Sequence, residues 1–465
     1  MYKIDFHHPS SVYFVGIGGI SMSGLAEILA DAGFQVSGSD REKNACTESL
    51  EKRGISVFYG QRRENITKDI DCVVFTSAIR KDNPEYAATM EMGIPFLTRA
   101  QLLGQLMKNY DMPIAISGTH GKTTTTSMVS EILLAASLDP TLSIGGILPS
   151  IGGNIRVGKS GLFVTEACEY TNSFLSFFPK AGIILNIEED HLDFFKDLAD
   201  IRNSFHEFAR LLPDNGCLII NGDIPDYREI TDGLSCPIVT FCASETTSAG
   251  TPADYYLSDL SYDEYGAPSF LLHSPGHCPQ KFTLRVPGHH NVLNALASIA
   301  LADFLLIDRE VTSSALHAFS GTDRRFEQKG TLNGITIIDD YAHHPTEITA
   351  TLKAAANCPH NTLWCVFQPH TYTRTKAFLK DFAKALSLAD KVVLADIYAA
   401  RETDTLGISS ETLAQELKSL GQECYYFSTF EEIENFLLKN CIKGDMLITM
   451  GAGDVFKIGE NLLKK

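Results

Sequence analysis

The sequence predicts an α/β protein of three domains. Two segments of alternating strand-like and helix-like pieces flank a central one. That central segment opens on a strand, a glycine turn and a Lys-Thr helix start. The 465 residues exceed one ordinary domain, and 44% hydrophobic with 21% charged content suits packed cores rather than disorder.

The first segment, residues 1–108, starts with the apolar strand VYFVGIG and a helix near SGLAEILADAG. The strands QVSGSD and CVVFTSAI follow, with the helix NPEYAATMEMG opened by a proline. Strand–helix alternation implies a parallel, doubly wound, Rossmann-like sheet. A polar break at 108–112 precedes the strand PIAIS and the second segment, 109–322. There the strands LFVTEA, AGIILNI and GCLIING surround the glycine turn, in the manner of a P-loop ATPase-like domain. Over 252–287 the pattern becomes short, turn-rich and antiparallel. A helix over NVLNALASIALADFLL then puts Val292, Leu296, Ile299 and Ala300 on one face. The third segment, 323–465, repeats the α/β theme with GITIIDD, LWCVFQ, KVVLADI, ECYYFS and DMLITMG, a second Rossmann-like sheet. Three such domains on short linkers favour a cleft that opens and closes.

The formal charge of −18 argues against wrapping nucleic acid or coating an anionic membrane. The 11 cysteines are scattered without a CxxC pair, so zinc spacing is absent and a reducing compartment fits. The opening residues MYKIDFHHPSS hold no apolar signal region, and no apolar run reaches spanning length. A cytoplasmic enzyme without membrane insertion is expected. The sequence is silent on oligomeric state.

The strongest motif is GTHGKTTT, residues 118–125, directly after PIAIS. Gly118 and Gly121 let backbone N–H groups of the turn, including those of Thr119 and His120, face phosphate oxygens. Lys122 can reach the β- and γ-phosphates of a nucleotide, and the Thr123 hydroxyl, followed by Thr124, can hold Mg²⁺. The helix start adds about 0.3–1 kcal/mol per anion. Ile116 stands where the usual first glycine would be, so this is a shortened GxxGKT form. The bland alternative is a tight turn with a helix cap, but a lysine and hydroxyl run just after a strand argues against it.

A second loop, VGIGGISMSG at 15–24, resembles a dinucleotide fingerprint with Ser21 in place of the third glycine. Asp40 ends the next strand and could accept a hydrogen bond from a sugar or base. On this motif alone a ligand-free turn is as good a reading, and an NAD-dependent dehydrogenase is a rival that leaves the P-loop unexplained.

Further candidates lie at strand ends. Glu166 ends LFVTEA, Glu169 follows it, and His191 lies in NIEEDHLD. Mg²⁺ prefers carboxylate oxygens, so Glu166 is a natural ligand, whereas a histidine is less usual. Glu189 and Asp193 read as a solvated turn. Asn291 and Asn294, three apart at a helix start, can read a purine edge, with helix capping as the competitor. In the third segment Arg325 could reach a terminal phosphate and Asp340 a ribose hydroxyl. His343 and His344 precede a proline-opened helix, and Arg374 could hold a small carboxylate.

Together GTHGKTTT, NIEEDHLD, HHNVLNA, DDYAHHPTEI, FQPHTYTRT and VGIGGISMSG resemble the Mur ligases of peptidoglycan synthesis, over nearly the whole chain and in order. The resemblance implies an ATP-dependent ligase adding L-alanine to the lactyl carboxylate of UDP-N-acetylmuramate through an acyl phosphate. It implies ATP on residues 118–124, with Lys122 and Arg325 on phosphates, Asn291 and Asn294 on adenine, Asp340 on ribose and His343 near the phosphates. Thr123 and Glu166 would share one Mg²⁺ and His191 a second. Gly16, Gly18, Gly19, Ile20, Ser21, Asp40 and Ser77 would take the UDP-sugar, and His370 and Arg374 would place L-alanine. The sequence departs from the family at Ser21, usually glycine, and at Thr371, where many members have arginine. His206 stands near the place of the carbamoylated lysine of later-acting ligases, so no such modification is expected. The alternatives are a ligase that recycles a tripeptide onto the same sugar, and a catalytically silent nucleotide-binding module.

Overall fold

The computed structural model describes residues 2–76, 79–400 and 402–465, so Ser77 lies outside the described residues. Among the described residues the strands form three separate sheets. In the first, the strands run in the order Ser56–Tyr59, Gln35–Asp40, Ser11–Val15, Cys72–Phe75, Phe96–Thr98, all parallel. The apolar run VYFV is buried because helices cover both faces of a parallel sheet. The order in which strands are added reverses at Ser11–Val15, which opens a crevice above residues 16–19.

The central sheet has ten strands, with Met112–Ser117 between Ala181–Ile184 and Leu162–Ala167. The region 252–287 is antiparallel as its sequence predicts, from Tyr255–Tyr262 through Pro268–His273 to Gln280–Thr283. It joins the sheet through a short parallel pairing to Ile238–Cys242. Helix His289–Phe304 buries Val292, Leu296, Ile299 and Ala300 against the sheet. The third sheet is parallel apart from its edge strand Glu327–Leu332.

Two details differ from expectation. The first helix begins at Ile20 rather than near Ser23, because the turn is only four residues long. A hairpin of Thr141–Leu148 and Gly153–Arg156 was not foreseen, since paired glycines and polar residues blur its alternation.

The cores divide unevenly. Leu102, Leu106 and Met107 pack in one continuous apolar cluster with Phe163, Phe174, Phe177 and Phe205, which welds the first domain to the central one. The C-terminal domain has its own clusters, around Phe382 on one face of its sheet and Trp364 on the other. Among the described residues neither cluster includes a central-domain side chain. Its contacts with the central domain include the polar pairs Arg374–Asp190 and Thr346–Glu188, and polar interfaces permit relative motion. No helix among the described residues is long and apolar enough to cross a membrane.

Candidate active site

The strand Met112–Ser117 is buried and runs directly into the glycine turn. Gly121 sits at φ +84° and caps helix Lys122–Ala135, and a Cβ there would lie 2.7 Å from the Asn294 Oδ1. Only glycine meets both demands. The turn is clamped by Asn186, whose Oδ1 accepts from the His120 N–H at 2.7 Å while its Nδ2 donates to the His120 carbonyl at 3.0 Å. The Glu188 N–H donates to the Thr119 hydroxyl at 2.9 Å. Residues 118–123 are thus held on the loop 186–191.

Lys122 folds back over this turn. Its Nζ pairs with Glu169 Oε2 at 3.0 Å and donates to the carbonyls of Thr119 and Gly118. Burial opposes its charge, but Glu169 outweighs that and raises its pKa. Glu166 lies on the neighbouring strand Leu162–Ala167, and its Oε1 accepts from the Gly145 N–H of the unforeseen hairpin. Thr123, Glu166, Asp190 and His191 line one cavity of about 710 Å³ between the domains. Hydroxyl and carboxylate oxygens facing one space suit a hard divalent cation. His191, at φ +53°, stacks on Tyr170 with ring centres 4.4 Å apart, and its Nε2 lies 3.8 Å from both Glu169 and Asp190. Burial lowers its pKa, which keeps it neutral and able to ligate.

A second cavity, about 290 Å³, is lined by Thr124, Asn291, Asn294, Arg325 and Asp340. Asn291 does not cap its helix, whose N-cap is Gly288. Its Nδ2 donates to the Pro287 carbonyl at 2.7 Å, and its Oδ1 accepts from Asn294 at 3.2 Å. Asp340 is buried, accepts the N–H groups of Phe326 and Ala342, and is pushed by burial up to about 6. Arg325 lies over the Tyr341 ring at 5.2 Å and lines both cavities. Its neighbour Arg324 is a different kind of residue, tied to Asp339 and to the Gly451 carbonyl inside its own domain.

The loop at 16–19 borders a separate opening of about 1240 Å³ together with Asp40, Asn44, Arg80 and Thr403. Asp40 is already engaged, since its Oδ2 accepts from Gly18 N–H at 2.8 Å and its Oδ1 from Arg41 N–H at 2.7 Å. Ile20 is exposed and faces the central cavity, and Ser21 accepts from Arg99 at 3.2 Å.

On the C-terminal side, a cavity of about 360 Å³ is lined by Tyr170, His191, His370, Arg374 and Glu402. Arg374 bridges the domains to Asp190 Oδ1 at 2.9 Å and donates to His370 Nδ1 at 3.2 Å. Burial opposes ionisation of Asp190, but Arg374 holds its carboxyl far below the usual range. His343 donates from Nδ1 to the Tyr341 carbonyl at 3.0 Å. Burial lowers His343 and His370 to about 4, so both are neutral. Thr371 caps the helix Tyr372–Ala377. His206 lies outside these cavities in helix Leu198–Ala209, beside the Ile230 carbonyl at 3.1 Å. Glu189 and Asp193 are exposed, as their sequence suggests.

Sequence reasoning gave no role to Asp190, Asn186, Glu347 or Gly145. The first three stand inside quoted motifs, but only geometry pairs them with Arg374, the glycine turn and His120. Gly145 has no local signal, because its partner Glu166 is remote in sequence.

Residues 11–111 match the model for the Mur ligase family, catalytic domain; residues 116–302 match the Mur ligase middle domain; and residues 324–453 match the Mur ligase, glutamate ligase domain. The chain is 60% identical over 464 residues to a UDP-N-acetylmuramate–L-alanine ligase of Lachnospira eligens, covering 100% of each. It is 58% identical to the protein so named in Agathobacter rectalis, again over 100% of each. Among solved structures, a UDP-N-acetylmuramate-alanine ligase of Thermotoga maritima superposes with a TM-score of 0.80 at 32% identity, covering 98% of this chain and 99% of that one.

Proposed function

Because this chain belongs to the Mur ligase family, we propose that it joins L-alanine to the lactyl carboxylate of UDP-N-acetylmuramate, consuming ATP, as a step of peptidoglycan precursor synthesis. The observation that carries this reading is the convergence of the glycine turn, Glu166, Arg325 and Arg374 on cavities that share walls at one cleft. The same reading places the enzyme in the cytoplasm, where ATP and nucleotide-linked sugars are available.

A carboxylate does not form an amide readily, because oxide is a poor leaving group. Transfer of the γ-phosphoryl group to the lactyl carboxylate gives an acyl phosphate, which the neutral amine of alanine attacks as phosphate departs. The first step brings two anions together. Lys122 and Arg325 would offset that repulsion, and the N–H groups of residues 118–123 would hold the triphosphate in line. Adenine would lie beside Asn291 and Asn294, and ribose near Asp340. Thr123 and Glu166 would hold Mg²⁺ and His191 a second one, and bound Mg²⁺ supplies positive charge to the transferring phosphoryl group. His370 accepts from Arg374 and so presents that guanidinium to the alanine carboxylate. The UDP-sugar would enter from the loop 16–21. Docking of the C-terminal domain would exclude water from the acyl phosphate.

Phosphate release from purified protein tests this. Release should require ATP, Mg²⁺, UDP-N-acetylmuramate and L-alanine together. Release with tripeptide in place of alanine would instead mark a recycling ligase, and none with either amine would mark a binding module.

Gly145 bears on the metal site. A Cβ there would lie 2.6 and 2.7 Å from the two Glu166 carboxylate oxygens. Gly145→Ala should therefore displace Glu166 and raise the Mg²⁺ concentration for half-maximal rate by about 10–100-fold. An unchanged Mg²⁺ dependence would remove Glu166 from the metal site.

A further inference from the structure

From the glycine turn, the His120 side chain reaches the C-terminal domain. Its Nδ1 lies 3.2 Å from Glu347 Oε1 and its Nε2 3.6 Å from Glu188 Oε2. Glu188 belongs to the loop that clamps the turn, whereas Glu347 sits in the first turn of helix Pro345–Ala356 in the C-terminal domain. Glu347 is fixed on its own side, its Oε2 accepting from the His343 N–H at 3.0 Å. Glu188 also reaches across, accepting from the Thr346 hydroxyl at 2.6 Å. The His120 ring packs on His344 with centres 4.7 Å apart, and only 12% of the His120 side chain is exposed.

We infer that His120, held between Glu188 and Glu347, is a positioning residue that couples docking of the C-terminal domain to the shape of the nucleotide loop. The inference rests on the ligase reading for its catalytic consequence but not for its structural one. An apolar weld is absent at this interface among the described residues, so polar bridges set the docking equilibrium. His120 is one residue from Gly121 and two from Lys122. A domain that releases it leaves the loop to its central-domain clamp alone, and by linkage a nucleotide that orders the loop favours docking.

Among the described residues, the groups facing His120 are Glu188 from the central domain and Glu347 and His344 from the C-terminal one, with His343 and Arg325 beyond Glu347. Burial works against a charged His120, but the two carboxylates outweigh it and raise its pKa to about 9. His344 is driven the other way, by burial and by the charge on His120. A metal ion is the competing occupant, because ligand atoms of His120, Glu188 and His344 lie within 4.8 Å of one another. The hydrogen bonds of His344 disfavour it: Nε2 donates to the Glu189 carbonyl at 3.0 Å and Nδ1 accepts from the Thr346 N–H at 3.4 Å, which leaves no free lone pair.

The sign is set by the raised pKa. The bridge is complete below the unfolded histidine value of about 6.5 and is lost as pH rises through the folded value. Two measurements on the full chain test the inference. In small-angle scattering without ligands, the wild-type chain should expand between about pH 7.5 and about pH 10. His120→Gln and Glu347→Gln should each be expanded already at the lower pH and change little on raising it. In steady-state assays each variant should lose about 10-fold in kcat, and the double variant should lose no more than the worse single one, since both cut one linkage. Equal compactness of wild type and both variants at both pH values overturns the inference, whatever the activity proves to be. So do additive losses in the double variant, or a rise in the KM for ATP with kcat unchanged, which would make His120 an ordinary nucleotide contact.

Discussion

Lys122→Met is expected to lower kcat by about 10³-fold, a loss of about 4 kcal/mol in transition-state stabilisation. The reason is charge. Phosphoryl transfer to a carboxylate gathers negative charge at one point, and Lys122 is the only cation whose Nζ already sits on the glycine turn among the described residues. The same change strips Glu169 of its partner, and Glu169 is 3% exposed. Leaving a buried carboxylate unpaired costs about 3–5 kcal/mol of stability. Lys122→Met should therefore be less stable than the wild type, and Lys122→Met with Glu169→Gln should regain much of that stability while staying inactive. Thermal melting beside phosphate release separates the two effects. Recovery of activity in the double variant would show that the single one had merely failed to fold.

Arg374→Lys is expected to raise the KM for L-alanine by about 10²-fold, close to 3 kcal/mol, with a much smaller effect on the KM for ATP. Arg374 presents a planar fork, partly to Asp190 at 2.9 Å and partly to His370 at 3.2 Å, at the wall of the 360 Å³ cavity. A lysine supplies a point charge that cannot meet an α-carboxylate in two places while holding His370 and Asp190. Arg374 is paired with Asp190 in this structure, and on the proposed reading an alanine carboxylate would share that guanidinium. A KM for alanine unchanged by Arg374→Lys would move amino-acid recognition elsewhere.

Much of this arrangement is legible in the sequence because it is local. An apolar run followed by glycine, lysine and threonine can form one kind of strand, turn and helix, and it does so at 112–135. The amide pair Asn291 and Asn294 shares a face because helical spacing dictates it, and both side chains are buried in one cavity wall. What the sequence hides is pairing across distance. Glu169 on Lys122, Gly145 under Glu166 and Asp190 on Arg374 join residues 47, 21 and 184 positions apart. No periodicity encodes such partners. Asp40 adds a contact that its position does not announce: its Oδ2 accepts from the Gly18 N–H of the glycine loop, 22 residues away, while the residue still borders the opening there. Asymmetry between the interfaces was equally hidden, since the apolar weld of the first two domains appears only once helix Arg99–Met107 is packed on Phe174 and Phe177.

On the proposed reading, ATP lies between the glycine turn and Glu166, with its base at the two asparagines. A crystal structure of the full chain with a non-hydrolysable ATP analogue and Mg²⁺ is the decisive measurement. The triphosphate is expected against the N–H groups of residues 118–123, with metal at Thr123 and Glu166 and adenine beside Asn291 and Asn294. Density for the triphosphate at the 16–19 loop of the first domain, with the central turn unoccupied, would contradict it.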